Sequence, residues 1–364
     1  MFEFAAVAYR YIYYFVVTLL TVIVFYQYYK KEVGLPKKAD TNDVGSLIFA
    51  IICVLFIGYR PLSGQYFVDM ANYNEYYHAF YFGIPFHFDS QAENLIFDNL
   101  FAWFGSLRFS VSTFFVTIAA IYFGAAYFGL KRLFPKDVWA AFLVFLGAFS
   151  TFSYGTNGIK AGAAASFFIL ALGYREHLKI CIPLILLSWG LHHSMQLPVA
   201  AFVLTLFFKH PKWYFAGWIL CFAIALAHIT EFSDLFASLT DESGAEYLMG
   251  DGDDGTKGGF RIDFILYSGM PVLVGYWVIF KKRIEVSNLY KSLLNLYLCT
   301  NGVWMLCMYA NFTNRIAYLS WFLYPIVLIY PFLNEPLGSN RYRQFATVML
   351  CHLGFTLFMS FIYY

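Results

Sequence analysis

Charge is scarce in this chain. Asp, Glu, Lys and Arg make up 13% of its 364 residues and the net charge is +2, which leaves too little basic surface for nucleic acid and too little polar surface for a soluble protein of this size. The six cysteines (Cys53, Cys181, Cys221, Cys299, Cys307 and Cys351) all fall inside apolar runs. They lack the extramembrane pairing of a disulfide framework or the spacing of a zinc site, and read as small apolar side chains. The N-terminal stretch MFEFAAVAYRYIYYFVVTLLTVIVFYQYY has no early basic region and no small-residue cleavage site, so it is expected to be a span that stays. Neither a cofactor nor a metal is implied.

Apolar length is what the chain has in abundance. It is 60% hydrophobic with a mean hydropathy of +0.61, and long stretches are apolar on every face. Runs at 9–29, 44–59, 109–130, 137–152, 158–174, 180–191, 195–208, 213–230, 263–280, 292–310, 316–333 and 345–364 predict an all-α polytopic integral membrane protein with about 12 transmembrane helices in one transmembrane domain, 1–364. Several runs are shorter than a perpendicular span needs, so they extend into their flanks, tilt or break. The stretch NLIFDNLFAWFGSL at 94–107 is short and contains Asp98; it reads as re-entrant or interfacial.

Basic residues orient these spans. When connections alternate between two sides, the loops at 30–43, 131–137, 175–179, 209–212, 281–291 and 334–343 share one side and carry 17 of the 24 Lys and Arg. The opposite side holds 15 of the 22 Asp and Glu. By the positive-inside rule the first side is cytoplasmic, which places both termini on the side away from the cytoplasm. Residues 60–108 then form an outer segment with interfacial helices, and 231–262 an outer loop that is a candidate lid.

The seven basic residues left outside are mostly single and lie at span ends, where an ionisable group is costly and by default points to a site. Arg60 and Asp69 lie in GYRPLSGQYFVDMANYN; headgroup binding and helix capping explain them, and so do phosphate binding and acid/base chemistry. Lys160 follows TNGI at the start of a small-residue helix, where it either snorkels or joins the helix N-terminus in holding an anion. His192, His193 and Ser194 separate two apolar runs; a structural role competes with that of a general base. DGDDG at 251–255 fails the EF-hand offsets and reads as a flexible acidic turn. Arg261 and Asp263 open one span, and Arg315 opens another beside Asn311, Thr313 and Asn314. Arg60, Lys160, Arg261 and Arg315 thus converge at one predicted depth on one face, and a diphosphate is the natural ligand of four such donors.

In order, these motifs resemble the EpsG family of bacterial exopolysaccharide, capsule and O-antigen (Wzy-type) polymerases. The matching pieces are Arg60, Asp69 and Tyr73 in the outer segment, Glu93 opening the next helix, and Asn157-Gly158-Ile159-Lys160 at a helix start. His193-Ser194, FRIDFILYS from Phe260 to Ser268, and Asn314-Arg315 complete the series. The resemblance spans roughly 45–335, and FRIDFILYS is its most specific part. The family's usual Arg at the helix start is Lys160 here.

The resemblance implies a GT-C-like glycosyltransferase architecture. It also implies an inverting enzyme, without metal or nucleotide sugar, that joins undecaprenyl-diphosphate-linked repeat units at the periplasmic face. Arg60, Lys160, Arg261 and Arg315 are the expected diphosphate ligands. Asp69, His193 and Glu93 are the candidate bases, with Tyr73, Asp263, Asn157 and Asn314 in support. Partners implied are the lipid-linked glycan donor and acceptor and membrane lipids, with a chain-length regulator and a flippase as candidates. The alternatives are a lipid-linked oligosaccharide flippase, a membrane O-acyltransferase and an O-antigen ligase.

Overall fold

A computed structural model describes residues 5–31, 42–232, 259–310 and 313–363. The described residues are helical, with no strand among them. Two compact units result, one made of Met1–His192 with Tyr342–Tyr364 and the other of His193–Arg341.

The first unit contains α1 (Ala6–Tyr29), α2 (Asn42–Gly58), α3 (Val68–Phe82), α4 (Leu95–Ser106), α5 (Val111–Leu133), α6 (Val138–Leu146), α7 (Thr151–Thr156), α8 (Ile159–Gly173) and α9 (Leu178–Leu191). The long helix α16 (Arg341–Phe358) returns to this unit after its first residue. Its centre is α5, which packs against both α8 and α2. Small residues permit the closest approach. A Cβ on Gly129 would lie 2.8 Å from the backbone nitrogen of Leu170 and 2.9 Å from the carbonyl carbon of Ile169, so α5 meets α8 almost backbone to backbone, as helices without a hydrophobic drive between them tend to do.

The run expected to form one span at 137–152 is two helices. α6 is nine residues long and buried at every position but Trp139, and the helix ends at Gly147 before α7 begins. Lipid offers no partner for the carbonyls a break exposes, and side chains satisfy them here. Thr151 donates its hydroxyl to Phe145 O at 2.6 Å, and Tyr13 of α1 donates to Leu146 O at 2.7 Å. The segment at 94–107 is the 12-residue helix α4, about 18 Å long at 1.5 Å per residue and short of the roughly 30 Å of a bilayer core.

The second unit begins with a single 3-10 turn at His193–Met195 and continues through α10 (Gln196–Phe207), α11 (Pro211–Leu226), α12 (Ile262–Tyr276), α13 (Asn288–Leu306), α14 (Thr313–Trp321) and α15 (Tyr324–Asn334). α11 and α10 pack on α13, and α12 packs on α15. Among the described residues, five helical stretches are long and apolar enough to cross a membrane: Ala6–Tyr29, Val111–Leu133, Ile262–Lys281, Thr313–Asn334, which takes in α14 and α15, and Arg341–Tyr363. Five shorter apolar helices accompany them. The described residues are those of a helical membrane protein.

Candidate functional site

In the first unit the predicted residues gather where α2 ends and α8 begins. Arg60 follows the last turn of α2 and is 4% exposed. It donates through Nη1 to Ile57 O and through Nη2 to Thr156 O, both at 2.8 Å, while its buried Nε has no hydrogen-bond partner. The rings of Phe115 and Phe67 lie 5.1 and 5.8 Å from the guanidinium carbon. Burial pushes its pKa down to about 9, which still leaves it charged at neutral pH. The sequence alone suggested a headgroup or phosphate ligand at a span end; the structure finds an internal brace that ties the end of α2 to the end of α7.

Asn157 caps α7, and its side-chain Oδ1 is buried without a partner. Three residues later Lys160, in the first turn of α8, meets Asp98 of α4, with Nζ 3.0 Å from Oδ1. Asp98 also accepts the backbone N–H of Asn94 through Oδ2 at 3.0 Å, so it serves the N-terminus of its own helix as well. The pair is partly open, with 26% of the Lys160 side chain and 34% of the Asp98 side chain exposed. Lys160 lies 5.2 Å from the centre of the Phe97 ring. Tyr73 packs from α3 against Phe97 and Phe101, ring centres 5.9 and 6.1 Å away.

Asp69 sits in the first turn of α3, partly exposed, one helical turn before Tyr73 and so on the same helix face. Glu93 is exposed, immediately before Asn94, the N-cap of α4. The structure therefore brings Arg60, Asn157, Lys160 and Tyr73 to neighbouring ends of α2, α7, α8 and α4. It adds Asp98, which sequence reasoning noted as an oddity of an apolar stretch and did not assign. That oddity, an ionisable group inside an apolar helix, was the available signal.

The second unit carries the FRIDFILYS motif at the start of α12. Its buried positions, Asp263, Phe264, Tyr267 and Ser268, recur at helical spacing, while Ile262 and Leu266 are exposed. Trp321 donates from Nε1 to Ser268 Oγ at 2.8 Å, and Tyr267 stacks on Tyr324 at 4.0 Å between ring centres. These contacts fix the helix that presents Arg261. Its guanidinium lies 3.7 Å from the centre of the Phe264 ring and donates to both oxygens of Asp263.

Arg315 is exposed in the first turn of α14 beside half-buried Asn314. Thr313 is buried, donating to Cys307 O and accepting from Trp304 Nε1, each at 3.0 Å. His193 opens the 3-10 turn, with Nε2 3.2 Å from Gln196 Nε2. Asn311, DGDDG and most of the candidate lid at 231–262 lie outside the described residues. No group of three or more His, Cys, Asp and Glu among the described residues has a metal-holding arrangement.

Helices apolar enough to cross a membrane, with partly exposed cations at helix starts, define the class: an integral membrane protein of the multi-pass helical kind. Sequence comparison gives the particular family. The EpsG family matches residues 43–364, and the chain belongs to it. This gives the protein a polysaccharide-polymerase role in general terms. No curated protein and no solved structure matches the chain.

Proposed function

We propose that the protein is an inverting polysaccharide polymerase that joins undecaprenyl-diphosphate-linked oligosaccharide units at the periplasmic face of the inner membrane, in a GT-C-like arrangement of about 12 spans. The observation that carries this reading is Arg261 held by Asp263 at the N-terminus of α12, within FRIDFILYS, the stretch that carries most of the resemblance in the sequence. A fixed guanidinium at a helix start suits a phosphate group. Lys160 at the start of α8 supplies a second cation of the same kind. The basic-residue topology of the sequence adds Arg315, and Arg60 serves as the buried brace behind the end of α7 that leads into Lys160.

In the proposed reaction the acceptor sugar's hydroxyl oxygen attacks the anomeric carbon of the donor. The bond from that carbon to the diphosphate oxygen breaks, and its electron pair leaves with undecaprenyl diphosphate. Cations on the leaving diphosphate stabilise the charge that develops there. The hydroxyl proton passes to Asp69, the first choice of base, with His193 and Glu93 as the others. A diphosphate is a good leaving group, so the step requires neither a general acid nor a metal.

Deleting the gene and examining the surface glycan tests the reading. A polymerase leaves a single repeat unit where a length ladder stood. Loss of a flippase would remove the glycan altogether, loss of an acyltransferase would leave the ladder intact, and loss of a ligase would strand finished chains on the lipid carrier.

A further inference from the structure

Lys160 and Asp98 are 62 positions apart in sequence, yet they form a direct ion pair at 3.0 Å. The two partners are held differently. The second carboxylate oxygen of Asp98 is tied to the backbone N–H of Asn94, which keeps the anion at the start of α4. The Lys160 ammonium sits on a flexible four-carbon stem beside the Phe97 ring. An ion pair this exposed contributes little to stability, so a more highly charged anion can displace the carboxylate. The junction that carries Lys160 also contains two buried polar atoms without partners, Arg60 Nε and Asn157 Oδ1, and Arg60 itself is 4% exposed. Groups left unsatisfied beside a switchable cation suit a site that is completed by a ligand.

We propose that Asp98 is the resident anion of the Lys160 site: it holds the ammonium between turnovers, yields it to the donor diphosphate, and retakes it to expel undecaprenyl diphosphate after transfer. This inference rests on the diphosphate reading given above. Asp98 acts through Lys160 and is a positioning residue. Its carboxylate takes the place that two phosphate oxygens compete for, so it weakens diphosphate binding and speeds product release together. A structural tie between α4 and α8 would do neither.

The experiment uses the full chain in nanodiscs of phosphatidylethanolamine and phosphatidylglycerol, with farnesyl diphosphate as the probe. Asp98→Asn retains an acceptor for Asn94 and removes the competing charge, so it should bind the probe about two- to fivefold more tightly, the range that a partly exposed ion pair can supply. Lys160→Gln should bind it about fivefold more weakly. With lipid-linked repeat units as substrate, Asp98→Asn should keep a rapid first turnover and then slow, lowering kcat and KM together.

Unchanged or weaker probe binding by folded Asp98→Asn overturns the inference while leaving the diphosphate reading in place. If wild type and Lys160→Gln bind the probe equally, or neither binds, the diphosphate reading itself falls. Should Asp98→Asn fail to accumulate, Asp98→Ser, which keeps a short side-chain acceptor at the helix start, is judged by the same two criteria.

Discussion

Asp263 grips Arg261 with both carboxylate oxygens, Oδ1 accepting from Nε at 3.0 Å and Oδ2 from Nη2 at 2.6 Å. The carboxylate is buried, with 6% of its side chain exposed against 29% for the arginine. Two residues apart at the start of α12, they form a fork in which the anion is fixed inside and the cation faces outward. A bidentate pair constrains direction as well as distance.

Arg261→Ala is therefore expected to abolish chain growth at normal protein levels, leaving single repeat units on a glycan gel. Asp263→Asn keeps the shape and loses the charge that aims the fork, and its polymer yield should fall about tenfold, as the loss of a charge-assisted bond allows. A full ladder from Arg261→Ala would remove this residue from the site.

Glu335 supplies a contrast within the same unit. It is buried and accepts the backbone N–H of Ser287 at 3.2 and 3.1 Å and the Ser287 hydroxyl at 2.5 Å. Ser287 in turn caps α13 by accepting the N–H of Tyr290. Glu335→Ala should lower stability by about 1–3 kcal/mol, the cost of buried donors left unpaired, and the folded fraction should still make polymer. Thermal unfolding in detergent measures the first part, and an unchanged midpoint contradicts it.

Two glycines on α5 make a matched pair. Gly129 abuts the α8 backbone, whereas nothing lies within 4 Å of a Cβ placed on Gly124. Gly129→Ala should reduce the amount of folded protein through overpacking of about 1–3 kcal/mol. Gly124→Ala should be neutral or slightly stabilising, since alanine favours the helix. Quantitative immunoblots of membranes distinguish the two outcomes.

The break after α6 depends on Tyr13. Tyr13→Phe removes the hydroxyl that reaches Leu146 O and changes little else in shape. It should cost about 1–3 kcal/mol, because that carbonyl has no water to turn to. Equal melting of variant and wild type would show that the carbonyl finds another donor.

Each apolar run read from the sequence corresponds to helix in the structure, because a hydropathy run is a local property and the bilayer imposes helix on it. Helix α4 was legible as too short to span, for the same reason of length. The division of 137–152 into α6 and α7 was not legible. The groups that satisfy the broken backbone include Tyr13, 133 positions from the carbonyl it serves, and no local pattern marks such a donor.

By itself the sequence determined that this is a membrane chain of apolar helices. It also determined which cations stand alone at span ends and that Asp263 lies beside Arg261, since hydropathy, charge placement and two-residue spacing are all local. Tertiary structure decided where those cations find their partners. Arg60 is drawn inside by two carbonyls, one of them 96 positions away, and Lys160 is matched to an aspartate from another helix. The reason is the same in both cases: an ionisable group in an apolar surrounding must find a partner, and folding, not sequence neighbourhood, chooses it.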